Sequence, residues 1–317
     1  MFHIVENRRW YFLLSALVIV PGLIAIIYSI ATTGLPFKVA IDFTGGSLWE
    51  MTFDHAVQPG EVRQIFVSSG ETDTQVTNIG SGGKTVEIRS KALDEAKRAE
   101  LLLALKAKFG SVAEVEFATV GPTIGKEVTQ AAALAVVATS LAILGFLVIA
   151  FRKAPHPARY GVTAIVAMLH DLLVTIGVFS ICSLLFGWEA DALFLTAVLT
   201  VIGFSVQDTI VVFDRIRENL MKHRGESMAR VVDRSLLETM HRSVAIHLTA
   251  LFVMMALLIF GGPTIKPFIA VLLIGVTTGT YSSIFNAAQL LVGWEEGDLL
   301  GVKSQNKVEV AKPSLAS

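Results

Sequence analysis

The chain has 317 residues, of which 53% are hydrophobic and only 17% charged, and its mean hydropathy is +0.63. Soluble domains carry about 25% charged residues, so the composition excludes an ordinary soluble domain and indicates an integral membrane protein. The net charge of -1 gives no indication of a nucleic-acid partner, and the single cysteine excludes a disulfide within the chain.

Six apolar runs are long enough to cross a bilayer, which needs roughly 20 such residues. The first run follows Arg8 and Arg9 and exceeds the apolar core of a signal peptide, so we interpret it as a retained anchor. The predicted spans are residues 12–31, 131–151, 161–186, 192–213, 244–260 and 268–292.

The placement of lysine and arginine predicts the topology of these spans. Basic residues precede the first span and fill the loops between spans two and three and between spans four and five. The loop at 187–191 has none, and the loop after the fifth span has only Lys266. Both termini are therefore predicted to be cytoplasmic, with residues 36–122 outside, in the setting of a bacterial inner membrane.

Residues 1–35 are predicted to hold the cytoplasmic N-terminus and the first span. Residues 36–122 then form the only large soluble segment of the sequence. Short alternating patterns predict strands, and apolar residues at helical spacing predict helices. The predicted order is strand 47–53, helix 59–67, strand 74–79, a hairpin loop at 80–83, strand 84–89, helix 93–109 and strand 112–119. This β-α-β-β-α-β order predicts a small ferredoxin-like α+β domain.

Residues 123–297 hold spans two to six, and the polar tail at 298–317 is expected to be disordered. Between spans four and five, residues 227–241 place apolar side chains at helical spacing with arginines on other faces. This pattern predicts an amphipathic helix lying flat on the cytoplasmic surface. In the sixth span, Gly275 and Gly279 form a GxxxG match that favours close helix contact.

Asp208 lies inside the fourth apolar run, where a carboxylate facing lipid would be costly. Such a residue indicates an ion or proton site. Arg242 is the favoured partner, because it opens the fifth span at a depth comparable to that of Asp208. The alternative is a static salt bridge that fixes helix packing, or an Arg242 that simply reaches the lipid headgroups.

His170 and Asp171 are adjacent in the third span and could relay protons, or could be polar residues bonded to neighbouring helices. His247 lies in the fifth span, where a lone histidine is more often a packing residue than a relay. Six further polar side chains are expected to form interhelical hydrogen bonds: Gln130, Thr200, Gln207, Thr209, Asn286 and Gln289.

The sequence contains no nucleotide-binding loop and no metalloprotease or serine-hydrolase motif. We therefore expect a protein that is not an enzyme and draws on a gradient. No cofactor is expected beyond H⁺ or Na⁺ as the coupling ion.

Five motifs resemble the SecD/SecF family of protein-export membrane proteins, and the resemblance runs from Arg8 to about Trp294. They are residues 41–47 (IDFTGGS), 120–125 (VGPTIG), 170–171 (HD), 203–219 (GFSVQDTIVVFDRIREN) and 279–284 (GTYSSI). The motif at 203–219 is highly specific. The chain departs from the family pattern at Gln207, where asparagine is usual, at Gln289, where proline is common, and at His247, where small polar residues are usual.

The resemblance implies half of an RND-type transporter that pairs with SecD and assists the SecYEG channel, with YajC as a further candidate partner. Translocating unfolded polypeptide and membrane lipid are the implied ligands. It also implies that Asp208 and Arg242, with Gln207 and Thr209 beside the aspartate, couple export to a proton or sodium gradient.

Two other functions stay open at this point. The chain could be half of an RND-type small-molecule exporter, although its external segment is small for a drug-sized pocket. It could also be a structural subunit of a translocase that conducts nothing.

Overall fold

The structure is a computed structural model that describes residues 4–79, 82–152, 154, 156–262 and 265–298. The predicted tail beyond Asp298, and Gly80 and Ser81 of the predicted hairpin loop, lie outside the described residues.

The described residues form ten α-helices and six strands, with a 3₁₀ turn at Val5–Asn7 and a π-helical segment at Ser283–Ala287. The helices are α1 (Arg8–Thr33), α2 (Ile41–Thr44), α3 (Pro59–Ser68), α4 (Glu95–Phe109), α5 (Pro122–Phe151), α6 (Pro157–Phe186), α7 (Ala192–Lys222), α8 (Met228–Phe260), α9 (Lys266–Ser282) and α10 (Ala288–Glu296). The strands are β1 (Lys38–Val39), β2 (Gly46–Phe53), β3 (Gln75–Ile79), β4 (Thr85–Ser90), β5 (Val112–Val120) and β6 (Glu189–Ala190).

Six helical stretches in the described chain are long and apolar enough to cross a membrane, which confirms the predicted number of spans. Each has 29 to 33 residues, so every helix is longer than its predicted apolar run. The extra residues are helical turns that continue past the apolar stretch. The stretches are Val5–Thr33, Pro122–Phe151, Pro157–Phe186, Ala192–Lys222, Met228–Phe260 and Lys266–Glu296.

The amphipathic stretch predicted at 227–241 is not a separate helix. It forms the first part of α8, which continues without a break into the fifth span because this stretch contains neither glycine nor proline. Val232 and Leu236 on its apolar face are fully buried in the hydrophobic core of the helices. The apolar face therefore packs on protein rather than on a membrane surface.

The described residues fall into two compact units, of which one contains Val39–Val136 and Glu189–Ala192 and the other contains the remaining helices. In the helical unit, four contacts join the ends of different helices at one end of the bundle. They are Val5 N–H to Asp233 at 3.0 Å, Arg8 to Asp298 at 3.1 Å, Arg159 to Glu295 at 2.6 Å, and Ala229 N–H to Glu296 at 3.3 Å. The first described residues and the last ones therefore lie at the same end.

Glycines allow two close helix approaches within the bundle. A Cβ atom on Gly177 of α6 would stand 2.8 Å from the Cα atom of Gly22 on α1, a distance that real Cβ atoms do not adopt. A Cβ atom on Gly275 of α9 would stand 2.1 Å from a methyl carbon of Val201 on α7. The GxxxG match at Gly275 and Gly279 therefore lies at a close helix contact.

The other unit contains the predicted α+β domain. Its elements follow the order β2-α3-β3-β4-α4-β5, and its antiparallel sheet has the strand order β3-β4-β2-β5. Alternate residues of β2, among them Trp49, Met51 and Phe53, are buried with apolar side chains of α3 and α4. The order, the pairing and the one-sided core are those of a split β-α-β, ferredoxin-like domain, as predicted.

Candidate ion-coupling site

Asp208 is placed by α7 in the interior of the helical unit, where the residue is only 7% exposed. Its Oδ2 atom lies 3.3 Å from Nε2 of His247, which α8 supplies. Oδ2 is buried and accepts no well-aligned hydrogen bond from any described residue, so this imidazole is its nearest polar partner. A buried carboxylate oxygen without a donor is destabilising when charged, and it gains a partner by binding a proton.

The ring of His247 is itself held in place from its own helix. Its Nδ1 atom lies 2.7 Å from the carbonyl oxygen of Ser243, one turn earlier in α8. The side chain is 8% exposed. The histidine that the sequence suggested as a packing residue thus lies directly against Asp208.

Arg242 is not brought to Asp208 in the described structure. It precedes His247 by five residues, which places it about 7.5 Å along the helix and ~140° around it. Arg242 is exposed and lines an open cavity of about 420 Å³. The charged residues that line this cavity with it are Asp214, Arg215, Glu218 and Glu238.

The two residues that flank Asp208 in the sequence point in different directions. Gln207 is exposed on the outside of the helical unit. Thr209 is buried, donates to the carbonyl of Ser205 at 3.1 Å and lies 3.0 Å from the hydroxyl of Ser283. Of the two, only Thr209 belongs to the polar interior around the aspartate.

His170 and Asp171 form a second imidazole–carboxylate pair, with Nδ1 of His170 3.0 Å from Oδ1 of Asp171. Asp171 is fully buried, and its Oδ2 atom accepts hydrogen bonds from Ser205 at 2.5 Å and Ser282 at 2.7 Å. Three donors from α6, α7 and α9 therefore satisfy this carboxylate, whereas Nε2 of His170 is buried without a described partner.

The end of α9 and the π-helical segment at Ser283–Ala287 that follows it present polar side chains to three neighbouring helices. Ser282 reaches Asp171 of α6, Ser283 reaches Thr209 of α7, and Asn286 shares hydrogen bonds of 2.9 to 3.2 Å with Ser15 of α1. A π turn changes the rotation between successive residues and frequently marks functional sites.

The sequence did not predict Ser205, Ser282 and Ser283 as members of the site. The one available signal was the cluster of small residues in the last span, which is typical of helix packing as well. Two of the six expected interhelical partners, Thr209 and Asn286, form such bonds. Thr200 and Gln289 donate instead to backbone carbonyls close in the sequence, and Gln130 and Gln207 are exposed.

The arrangement suits the movement of protons or a monovalent ion. Among the described residues, no group of three or more His, Cys, Asp or Glu side chains could hold a metal ion. The site instead offers two imidazole–carboxylate pairs and a chain of hydroxyl groups, all on neighbouring helices. Such groups change protonation state or bind hydroxyl-coordinated cations with small shifts of the helices.

Comparison with known proteins gives consistent matches over the same elements. The family model described as "Protein export membrane protein SecD/SecF, C-terminal" matches residues 102–297, a range that includes α5 to α10. A protein translocase subunit SecF from Thermobaculum terrenum is 44% identical, over 98% of this chain and 99% of the relative. A subunit of the same name from Anaerolinea thermophila is 44% identical, over 94% of this chain and 96% of the relative.

Among solved structures, the chain is similar to the crystal structure of SecDF, a translocon-associated membrane protein, from Thermus thermophilus. The TM-score is 0.75 at 29% sequence identity, and the match covers 93% of this chain. The chain spans only 39% of the length of that SecDF chain. A structure of SecDF in a super-membrane-facing form matches with a TM-score of 0.58 at 27% identity.

Proposed function

The chain belongs to the SecD/SecF family of protein-export membrane proteins, and from this premise we propose that it couples an ion gradient to polypeptide export. The relatives that match it over nearly their full length are SecF subunits of the protein translocase, and the chain is a subunit of this type. The coupling group is Asp208, and the coupling ion is H⁺ or, in the alternative form of the proposal, Na⁺. No further cofactor is required.

The observation that carries this proposal is the state of Asp208. The carboxylate is buried in a membrane-crossing helix, one of its oxygens has no described hydrogen-bond donor, and a titratable imidazole lies 3.3 Å away. A residue that served only to pack helices would gain stability from donors such as those around Asp171. The lack of a hydrogen-bond donor to Oδ2 of Asp208 among the described residues supports a role in which the charge of this side chain changes.

In this proposal, protons that move down their gradient and bind Asp208 supply the free energy for pulling the polypeptide. A neutral Asp208 is no longer attracted to the imidazolium form of His247, so in this proposal the packing between α7 and α8 changes and the external domain follows. Moving one charge through 100 mV yields about 2.3 kcal/mol. Several protons are therefore needed for a substantial pull on a polypeptide.

The proposal includes the partners and the membrane. A SecD-type subunit supplies the second six-span unit, SecYEG supplies the channel, and YajC is a further candidate partner. The share of the fused SecDF chain that this chain leaves uncovered supports the first of these. We place the protein in a bacterial inner membrane with both termini on the cytoplasmic side, on the evidence of the lysine and arginine distribution.

The site residues enter the proposal with different roles. His247 lies beside Asp208, and Thr209 follows it in α7. His170 and Asp171 form a second relay, which is bonded to Ser205, one turn before Asp208 in α7. Arg242 lines the charged cavity and acts on the ion path rather than on the carboxylate in this state of the protein. Gln207, which is exposed, faces lipid or the partner subunit.

The test is the Asp208→Asn variant, which keeps the size of the side chain and removes its titration. Preprotein export is measured in membrane vesicles with and without a proton gradient, at saturating ATP. We expect the gradient-dependent part of export to be lost and the ATP-driven part to remain. Glu127→Gln, which changes an exposed carboxylate of the spanning helix α5 that does not line the charged cavity, is the control and retains both parts.

An Asp208→Asn protein whose export responds fully to the gradient would refute the coupling role. The chain would then be a structural subunit that conducts nothing.

A further inference from the structure

The tautomer of His247 follows from its surroundings. The carbonyl oxygen of Ser243 can only accept a hydrogen bond, and it lies 2.7 Å from Nδ1. Nδ1 therefore carries a hydrogen in every state of the ring that keeps this bond. The only atom of the ring whose proton can vary is Nε2, which faces Asp208.

A bare Nε2 atom and a bare carboxylate cannot face each other without cost. With no proton on Nε2 or on the carboxylate, two atoms that can only accept would lie 3.3 Å apart, with both side chains about nine-tenths buried. No other described donor reaches Oδ2 of Asp208. One proton between the two residues removes the conflict, either as imidazolium with carboxylate or as imidazole with carboxylic acid.

From this geometry we infer that His247 is the proton-sharing partner of Asp208, and that the pair, rather than the aspartate alone, is the unit that takes up and releases the transported proton. The inference deepens the proposed function and rests on it. At rest the pair holds one proton and has no net charge. Uptake of a second proton gives imidazolium beside a neutral acid, with a net charge of +1, and release restores the resting state.

The charged surroundings of the pair are sparse among the described residues. On α6, the ionisable side chains of the polar interior are His170 and Asp171, and Asp171 is already bonded to His170, Ser205 and Ser282. The last span contributes the neutral hydroxyl groups of Ser282, which bonds to Asp171, and Ser283, which bonds to Thr209 of α7. On α8 itself, Arg242 points to the open cavity.

An imidazole in this place differs from a guanidinium in one respect. Arginine does not give up its proton in proteins, so a carboxylate paired with it can only be bound or unbound. Histidine exchanges its proton near neutral pH, so the Asp208–His247 pair can pass a proton between its members without a change in net charge. This makes His247 a determinant of coupling in this chain, because it moves the proton as well as positioning the acid.

The experiment compares four proteins, each reconstituted with a SecD-type partner: the unchanged chain, His247→Gln, Asp208→Asn and His223→Gln. Glutamine places a non-titrating donor where Nε2 stands, and His223, which lies 3.7 Å from Glu226, supplies the control histidine. The gradient-dependent part of export is measured as a function of pH. Two coupled groups titrate in two apparent steps, so we expect two steps for the unchanged chain and for His223→Gln, and one step for His247→Gln.

The outcomes separate the inference from the proposed function. If Asp208→Asn keeps its gradient response, the proposed function fails. If Asp208→Asn loses the response while His247→Gln keeps both titration steps, the proposed function stands and the role of His247 is overturned.

A measurement on the unaltered His247 covers the case in which His247→Gln does not fold. The ¹⁵N resonances of this ring are followed with pH in the unchanged chain and in Asp208→Asn. We expect Nδ1 to stay protonated throughout, and the titration of Nε2 to shift when Asp208 is replaced. A ring that titrates identically in both proteins, or that carries its neutral-state proton on Nε2, would overturn the inference.

Discussion

Two of the buried carboxylates of the helical bundle, Asp171 and Asp208, differ in how their oxygen atoms are satisfied. Asp171 accepts from two serine hydroxyls and lies against the ring of His170, whereas Asp208 has only an imidazole at 3.3 Å. A carboxylate that accepts from donors at both oxygen atoms loses at least one of those bonds when it is protonated, because the protonated oxygen becomes a donor. Protonation therefore costs Asp171 more than Asp208, which agrees with the proposal that Asp208 is the main coupling group and that Asp171 also holds the helices together.

Replacement of Asp171 tests this division. In Asp171→Ala, Ser205, Ser282 and His170 lose their common acceptor in a buried place, and we expect a loss of about 1–3 kcal/mol of stability. Thermal unfolding of the purified protein in detergent measures the loss, with Asp214→Ala as an exposed control on a spanning helix. Equal melting temperatures for the two variants would contradict the structural role of Asp171.

At the scale of single residues, the sequence identified Asp208 because a carboxylate inside an apolar run is conspicuous. It could not identify the partner of Asp208, since residues 242 and 247 of α8 differ by about 140° in direction. Only the crossing of α7 and α8 decides which of them meets the aspartate. For the same reason the serines around Asp171 could not be distinguished from other small residues of the spans.

At the scale of helices, close contacts depend on glycine in two distinct ways. Between α1 and α6, the atom that a new Cβ on Gly177 would strike is backbone, the Cα of Gly22. Between α9 and α7, the atoms that a new Cβ on Gly275 would strike are side-chain methyl groups of Val201. A change of a neighbouring side chain can relieve the second clash but not the first.

Gly177→Ala is expected to force α1 and α6 apart and to cost about 1–3 kcal/mol of stability. Gly161→Ala, in the same helix, meets no atom within 4 Å and is the matched control. We expect it to be neutral or stabilising by up to about 1 kcal/mol, because alanine favours helix over glycine. Melting temperatures in detergent distinguish the two, and a Gly177→Ala protein as stable as its control would exclude the close contact.

Gly275→Ala is expected to lower the melting temperature, and Val201→Ala to restore part of the loss when both are combined. The reason is that Val201 supplies the methyl groups that the new Cβ atom meets at 2.1 and 2.6 Å. A double-mutant cycle gives the coupling between them, which should be favourable for residues in contact. Strictly additive losses would show that the two residues do not touch.

The elements themselves were largely predictable. In the α+β domain each predicted strand and helix lies within about two residues of its observed bounds, because alternating and helical patterns are clear in short half-buried segments. The π-helical segment and the unbroken course of α8 were not predicted. The π-helical segment depends on tertiary packing, since Ser283 bonds to α7 and Asn286 to α1. The place of the apolar face at 228–241 also depends on packing, because this face lies on the bundle core.

At the scale of the whole molecule, the chain matches one part of a longer SecDF chain. The structural match covers 93% of this chain but only 39% of the fused SecDF chain to which it is similar. Large apolar side chains such as Leu141, Phe252 and Phe260 are exposed along α5 and α8. These helices offer the apolar surface that lipid and a partner subunit would cover.

The predicted topology is testable with single cysteines in a Cys182→Ser background. Ser111→Cys lies in the α+β domain and Ser227→Cys at the start of α8, and both positions are exposed. In intact spheroplasts, a membrane-impermeant maleimide should label residue 111 only, and in inverted vesicles residue 227 only. The opposite pattern would reverse the orientation, and labelling of both positions from one side would contradict the six-span topology.

The central claim concerns the movement of protons at Asp208, and proton flux tests it most directly. The chain and a SecD-type partner are reconstituted in liposomes that contain a pH-sensitive dye, and an imposed gradient is followed in the presence of a translocating polypeptide. We predict flux with the unchanged chain, loss of that flux in Asp208→Asn, and unchanged flux in Glu127→Gln, whose exposed carboxylate lies in α5 and does not line the charged cavity. Equal flux in the unchanged chain and in Asp208→Asn would contradict the account.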